Sequence, residues 1–168
     1  MRIFIALTFP EDFLNKIEKD IKDIKKKIKG KWIEKEKWHL TLAFLGERSI
    51  QEVDLIQKFL LSLKFNQVQL STFKIDYSLP IKNKVRMIWV HFKYDNFNNF
   101  QIIFDKFNVD RFYPHINLIR FEPRVLSKLP YIRKDLNLNV CPKKLVLFES
   151  ILKREGAQYK ELLAIELL

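Results

Sequence analysis

A chain of 168 residues that is 48% hydrophobic and 14% aromatic can bury one sizeable core and carries too much apolar surface to stay disordered. Three glycines leave no material for a glycine-rich phosphate loop, which removes P-loop and dinucleotide-binding readings; the single Cys141 removes an internal disulfide and fits a reducing compartment. A formal net charge of +11 points to a polyanionic partner, nucleic acid before an anionic membrane, the plainer source of that charge being a general bias towards lysine.

In chain order, Arg2 to Leu7 is a continuous apolar run of β-formers and reads as a central strand. With Met1 and Phe9 it resembles the apolar part of a signal peptide, but it is too short, and Pro10-Glu11-Asp12 follows in place of a small-residue cleavage site. No stretch is long enough to cross a membrane as a helix. Phe13, Ile17, Ile21, Ile24 and Ile28 then recur at helical spacing, predicting one helix over Glu11–Lys29 that Gly30 stops. Its other face carries Lys16, Lys19, Lys22, Lys26 and Lys29, a solvated face first and an RNA-facing one second. Trp32-Ile33-Glu34 leads through a charged turn to a strand over His39–Phe44. Ser49 and Glu52 form a capping box for a second helix with Val53, Ile56, Phe59, Leu60 and Leu63. Val68–Ile75 reads as a strand, Pro80–Lys84 as a basic loop and Arg86–Phe92 as a strand. Asn96 is placed to cap a third helix that turns Phe97, Phe100, Phe104 and Phe107 inward. A strand over His115–Ile119, a connection over Phe121–Arg133 and two strands over Lys144–Ile151 and Leu162–Leu168 complete the chain, with Lys153–Tyr159 as the final turn.

The order strand, helix, histidine strand therefore occurs twice, which predicts two similar lobes within one unit spanning 1–168, their histidine strands facing each other across a cleft. Side chains alternate along a strand, so His39 and Thr41 share one face, as do His115 and Asn117, while Leu40, Leu42, Ile116 and Leu118 face the core. Two imidazoles across a cleft suit general acid–base catalysis, one taking a proton from a nucleophile and the other giving one to a leaving group. Thr41, Asn117 and Arg120 would hold an anion between them, the arrangement phosphoryl transfer asks for. A buried histidine beside leucine is ordinarily structural, and His91 is read that way. A zinc site from His39, His91 and His115 lacks the usual ligand spacing and any carboxylate in either motif. Cys141 precedes Pro142 and has no base near it in sequence, so it is not read as a nucleophile.

His39-Leu40-Thr41-Leu42 and His115-Ile116-Asn117-Leu118 resemble the paired HxTx motifs of the two-histidine (2H) phosphoesterases, and among them the RNA 2′,3′-cyclic phosphodiesterases historically called 2′-5′ RNA ligases. The likeness extends to Arg2-Ile3-Phe4-Ile5-Ala6-Leu7, Trp32-Ile33, Leu45-Gly46, Ile88-Trp89, Pro114, Arg120, Leu147-Phe148-Glu149-Ser150 and Tyr159. It implies an α+β, bilobal, pseudo-symmetric fold, with two antiparallel sheets flanking a cleft and helices outside. It implies hydrolysis of 2′,3′-cyclic phosphate ends of RNA, tRNA fragments among them, to 2′-phosphates, with reversible 2′-5′ ligation on the same site. No cofactor or metal is implied, and the expectation is a cytoplasmic monomer with no membrane partner. On this resemblance His39 and His115 are the acid–base pair, with His115 taken as base and His39 as acid, and Thr41, Asn117 and Arg120 hold the phosphate. Asn117 departs from the usual Thr or Ser; its amide can still donate to a phosphate oxygen, but the side chain is longer. Two other readings use the same residues: an enzyme for small cyclic nucleotides or an ADP-ribose cyclic phosphate, and an RNA-end binding module whose catalysis has weakened. Trp32, Phe9 and Tyr159 are candidates to stack on a terminal base.

Overall fold

The computed structural model describes all 168 residues. Its elements are β1 (Arg2–Thr8), α1 (Glu11–Asp20), α2 (Lys22–Lys27), β2 (Lys31–Trp32), β3 (Leu40–Glu47), α3 (Ile50–Leu61), β4 (Leu70–Tyr77), β5 (Lys84–Phe92), α4 (Gln101–Lys106), β6 (His115–Val125), β7 (Lys134–Asp135), β8 (Asn139–Val140), β9 (Lys144–Lys153) and β10 (Gly156–Glu166). The main sheet runs β10-β9-β1-β3-β6-β5-β4-β7, and every pairing in it is antiparallel. It is an α+β fold made of two antiparallel halves. β1 lies beside β3 as β5 lies beside β6, so the repeat seen in the sequence is the repeat of the sheet. The halves meet at one register pair, Leu40 with Ile116. No helix is long and apolar enough to cross a membrane.

β1 is apolar from Ile3 to Leu7 because both its faces are covered there. Ile3, Ile5 and Leu7 enter the main core, while Phe4 and Ala6 pack on Val146 and Phe148 on the opposite face. The helical stripe Phe13, Ile17, Ile21, Ile24 and Ile28 is buried against the core, as its spacing requires. The helix is nevertheless broken into α1 and α2 at Ile21. Lys134 accounts for the break: its Nζ donates to the Asp20 carbonyl at 3.2 Å and pairs with the Asp20 carboxylate at 3.2 Å, offering the backbone a partner outside the helix.

Gly30 does not cap this helix, which ends at Lys27 with Ile28 already extended. It lets the chain pass close to β6. A Cβ there would lie 2.9 Å from Ile119 Cδ1 and 3.1 Å from the Arg120 carbonyl oxygen. The capping box of α3 forms as read, with Ser49 and Glu52 bonded reciprocally. Asn96 does not cap a helix. It adopts a left-handed backbone (φ 70°) and donates from Nδ2 to the Gln69 carbonyl at 2.7 Å, while the expected third helix is a 3₁₀ turn over Phe97–Phe100 followed by short α4. Phe97, Phe100 and Phe104 are buried there; Phe107 is half-buried.

β6 runs on to Val125 through residues read as a connection. The last turn is shorter than read: β10 begins at Gly156, with φ +126°. Phe9 is a core residue packed on Phe13 and Phe92, which removes it as a base-stacking candidate.

Gly30→Ala is expected to lower stability by about 1–3 kcal/mol through crowding against β6. Ser49→Ala is expected to cost about 1 kcal/mol through loss of the cap. Chemical denaturation of both variants checks these values; a Gly30→Ala protein as stable as the parent would show that β6 yields freely.

Candidate active site

Each histidine sits where a strand emerges from a tight approach. A 3₁₀ turn over Lys35–Lys37 precedes β3. Lys35 Nζ ties that turn to α1, 2.7 Å from Asn15 Oδ1 and 3.6 Å from both Glu11 and Glu18. Trp38 is buried and donates from Nε1 to the Ile33 carbonyl at 3.0 Å. The turn thus fixes the Lys37 carbonyl, which lies 2.8 Å from His39 Nδ1. In the second copy the Tyr113 carbonyl lies 2.7 Å from His115 Nδ1. A carbonyl only accepts, so both neutral imidazoles carry their proton on Nδ1 and turn the Nε2 lone pair outward.

The imidazoles have different aromatic surroundings. His39 lies against Phe4 (centroids 5.0 Å apart) and edge-on to Tyr159 (5.2 Å). His115 stacks on Trp89 at 3.8 Å with an interplanar angle of 20°. Burial lowers the pKa of both. His39 falls to about 4, with the charges of His115 and Arg120 adding to the effect, and His115 falls with a further contribution from Arg120. Three buried polar atoms without a partner, Trp89 Nε1, His91 Nδ1 and Asn117 Oδ1, gather around His115. His91 is itself buried, and its Nε2 is bonded to the Tyr77 carbonyl at 3.0 Å, as a structural histidine should be.

The Leu40–Ile116 pair places the site residues. Leu40 and Ile116 face the core, so alternation turns His39 and Thr41 of one chain segment and His115 and Asn117 of the other to the opposite face, on either side of that pair. Arg120 is five residues from His115, and strict alternation would turn it to the other face. A β-bulge corrects this: β6 steps from Asn117 to Ile119 while β5 steps from Trp89 to Ile88, leaving Leu118 as the extra residue. Leu118 and Ile119 are both buried in consequence, and Arg120 emerges near both imidazoles.

β3 carries the same irregularity at the matching position, with Leu42 as the extra residue between Thr41 and Ala43. Phe44 is the counterpart of Arg120. It is 76% exposed, pairs in register with Phe4 and has its ring 6.1 Å from the Phe4 ring, on the histidine face. Sequence reasoning misses Phe44 because alternation from His39 turns residue 44 away; the apolar pair Leu42-Ala43 in mid-strand is the available signal. Of the other aromatic candidates, Tyr159 stands beside His39, while Trp32 is half-buried and donates from Nε1 to the Ile28 carbonyl at 3.3 Å. A cleft of about 560 Å³ opens beside His39, lined by Thr8, Trp38, Phe148 and Tyr159 and by the acids Glu34, Glu36, Glu155 and Glu161. No three metal-binding side chains come together anywhere in the chain.

The chain is similar to known proteins. Residues 7–89 match the family model described as LigT like Phosphoesterase. The RNA 2′,3′-cyclic phosphodiesterase of Methanocaldococcus jannaschii is 34% identical over 91 residues, which are 54% of this chain and 50% of that protein. The match therefore spans about half the length of that curated relative. The whole chain shares its fold with Escherichia coli LigT, solved in complex with ATP (TM-score 0.79, 20% identity, 99% of this chain and 97% of that one). It also shares it with a Thermus thermophilus protein, TT0787 (TM-score 0.74, 22% identity, 99% and 98%). Over residues 7–89, just under half of its length, the chain resembles the LigT-like phosphoesterases, and over its whole length it has the fold of LigT.

Burial also lowers the pKa of His91 to about 4, and the Lys74 charge adds to the shift. A histidine whose folded pKa lies below its unfolded value contributes stability that is complete above about pH 6.5 and lost as pH falls towards 4. The melting temperature is therefore expected to drop across that window, with a shallower slope in His91→Phe. A flat profile between pH 6.5 and 4 would contradict the shifts at His39 and His91.

Proposed function

We propose that the chain opens 2′,3′-cyclic phosphate ends of RNA to 2′-phosphomonoesters by acid–base catalysis between His39 and His115, with no metal taking part. The observation that carries this reading is the matched pair of imidazoles, each fixed through Nδ1 by the carbonyl two residues earlier, with Arg120 close to both. The name of the Methanocaldococcus relative supports the substrate class.

In the reaction a water oxygen forms a bond to phosphorus and the P–O3′ bond breaks. One Nε2 takes the proton from water, and the other imidazole, protonated, gives its proton to O3′. Arg120, Thr41 and the Asn117 amide hold the charge that gathers on the non-bridging oxygens. Asn117 suits this task because its Oδ1 is buried without a partner while its NH₂ is a donor for a phosphate oxygen. Phe44 and Tyr159 offer aromatic faces to the terminal base. With a nucleotide 5′-hydroxyl in place of water, the same steps join RNA ends through a 2′-5′ linkage.

An RNA oligonucleotide ending in 2′,3′-cyclic phosphate should be converted in the presence of EDTA, to a product that resists a 3′-specific phosphatase. His39→Ala and His115→Ala should each lower kcat by at least about 10²-fold. Full activity in either variant would overturn the mechanism. A sulfur leaving atom at the 3′ position needs little protonation, so it should rescue the variant lacking the acid and not the one lacking the base. Asn117→Thr should stay active and Asn117→Leu should lose most activity; equal activity with Leu would remove residue 117 from the phosphate site.

The lowered histidine pKa values set the pH profile. In the free protein the singly protonated pair is most populated on the acid side of the ordinary histidine value near 6.5. kcat/KM should therefore peak below about pH 6.5 and fall as pH rises and the acid loses its proton. kcat should peak at higher pH, because a bound phosphate anion favours the imidazolium. A kcat/KM that keeps rising above pH 8 would contradict this.

A further inference from the structure

The positive charge of this chain is unevenly placed around the site. Beyond the histidines, β5, β6 and their flanking loops carry Lys82, Lys84, Arg86, Arg120 and Lys128, all exposed, whereas Arg124 lies over the Phe121 ring towards the core face. The only acid in these segments, residues 79–92 and 115–129, is Glu122. None of these five cations is ion-paired. They belong to one structure: Lys84 and Val85 pair with Val125 and Arg124, Met87 pairs with Arg120, and the Leu126 N–H donates to the Asn83 carbonyl. The cleft beside His39 is lined instead by Glu34, Glu36, Glu155 and Glu161 against Lys37.

The lysine-rich α1–α2 segment does not supply the same field. Its lysines are interspersed with Glu18, Asp20 and Asp23, and Lys26 lies 3.9 Å from Asp23. Its Ile17, Ile21 and Ile24 pack on the core face of the sheet, the face of Leu40 and Ile116, whereas the histidines point from the other face. A strand seated between the imidazoles would have to cross to the far side of the sheet to reach it.

We infer that the β5–β6 arm is the binding track for the single-stranded RNA body 5′ of the reacting nucleotide, and that the acid-lined cleft beside His39 repels any continuing phosphate backbone. Resting on the function proposed above, this makes the protein a reader of chain ends. The 5′ phosphates follow Arg120, Arg86, Lys84 and Lys82, while the terminal nucleotide meets the acid-lined cleft, where no further phosphate is needed. Unpaired exposed cations are suited to this because each can release a counterion from the RNA without first giving up a protein partner.

The test compares a nucleoside 2′,3′-cyclic phosphate with 3-, 6- and 9-residue RNAs ending in the same group, at 50 and 200 mM salt. In the parent protein kcat/KM should rise with length, and the rise should shrink at the higher salt. Lys82→Gln/Lys84→Gln/Arg86→Gln should lower kcat/KM on the 9-mer by at least tenfold and leave the mononucleotide value unchanged. Three lost phosphate contacts at about 0.7 each should reduce the log–log salt slope by about 2. Lys16→Gln/Lys19→Gln/Lys22→Gln should leave both substrates unaffected. A parent with no length preference would overturn the track, as would a triple arm variant that retains the parent's oligonucleotide rate or loses both substrates equally. A parent that converts neither the mononucleotide nor any RNA would overturn the catalytic reading instead.

Discussion

One backbone pair holds the site together. β3 and β6 touch in register only at Leu40 and Ile116, where two four-stranded halves of the sheet meet. Both side chains are fully buried, so the junction is fixed by core packing on one face, and on the other it is ringed by His39, Thr41, His115 and Asn117. A longer ladder would draw the strands together along their length and leave little space between the imidazoles. A single pair lets the strands diverge on either side of the histidines while holding them at one point.

The two halves repeat each other closely in backbone and much less in chemistry. Each histidine is oriented by the carbonyl two residues before it, and each strand bulges one residue after the polar partner. The bulges turn the fifth residue after each histidine back to the site, Phe44 in one copy and Arg120 in the other. Symmetry of the frame with asymmetry of the side chains gives a site in which one end favours an apolar ring and the other an anion. The surrounding charge follows the same division, with acids beside His39 and free cations along β5 and β6.

Burial of the imidazoles places their electrostatics under the control of what enters the cleft. Each is held neutral in the free protein chiefly by loss of solvent, and the nearby Arg120 pushes in the same direction. An arriving phosphate replaces part of the lost solvation with negative charge, which favours the protonated form. In the proposed reaction, binding of the phosphate would thereby favour the protonated imidazole that the leaving oxygen needs.

The amino-acid sequence by itself determined the strand–helix–strand repeat, the helical stripe from Phe13 to Ile28, the α3 capping box and the two histidine motifs. Each rests on local periodicity or capping that needs no knowledge of the rest of the chain. What it left open depends on contacts distant in sequence. The break at Ile21 comes from Lys134, the close approach at Gly30 comes from β6, and Asn96 is drawn from a cap to the Gln69 carbonyl. The faces of Arg120 and Phe44 are likewise decided by strand pairing. Alternation assumes an unbroken ladder, and only the tertiary register shows where Leu42 and Leu118 interrupt it and return those two side chains to the histidine face.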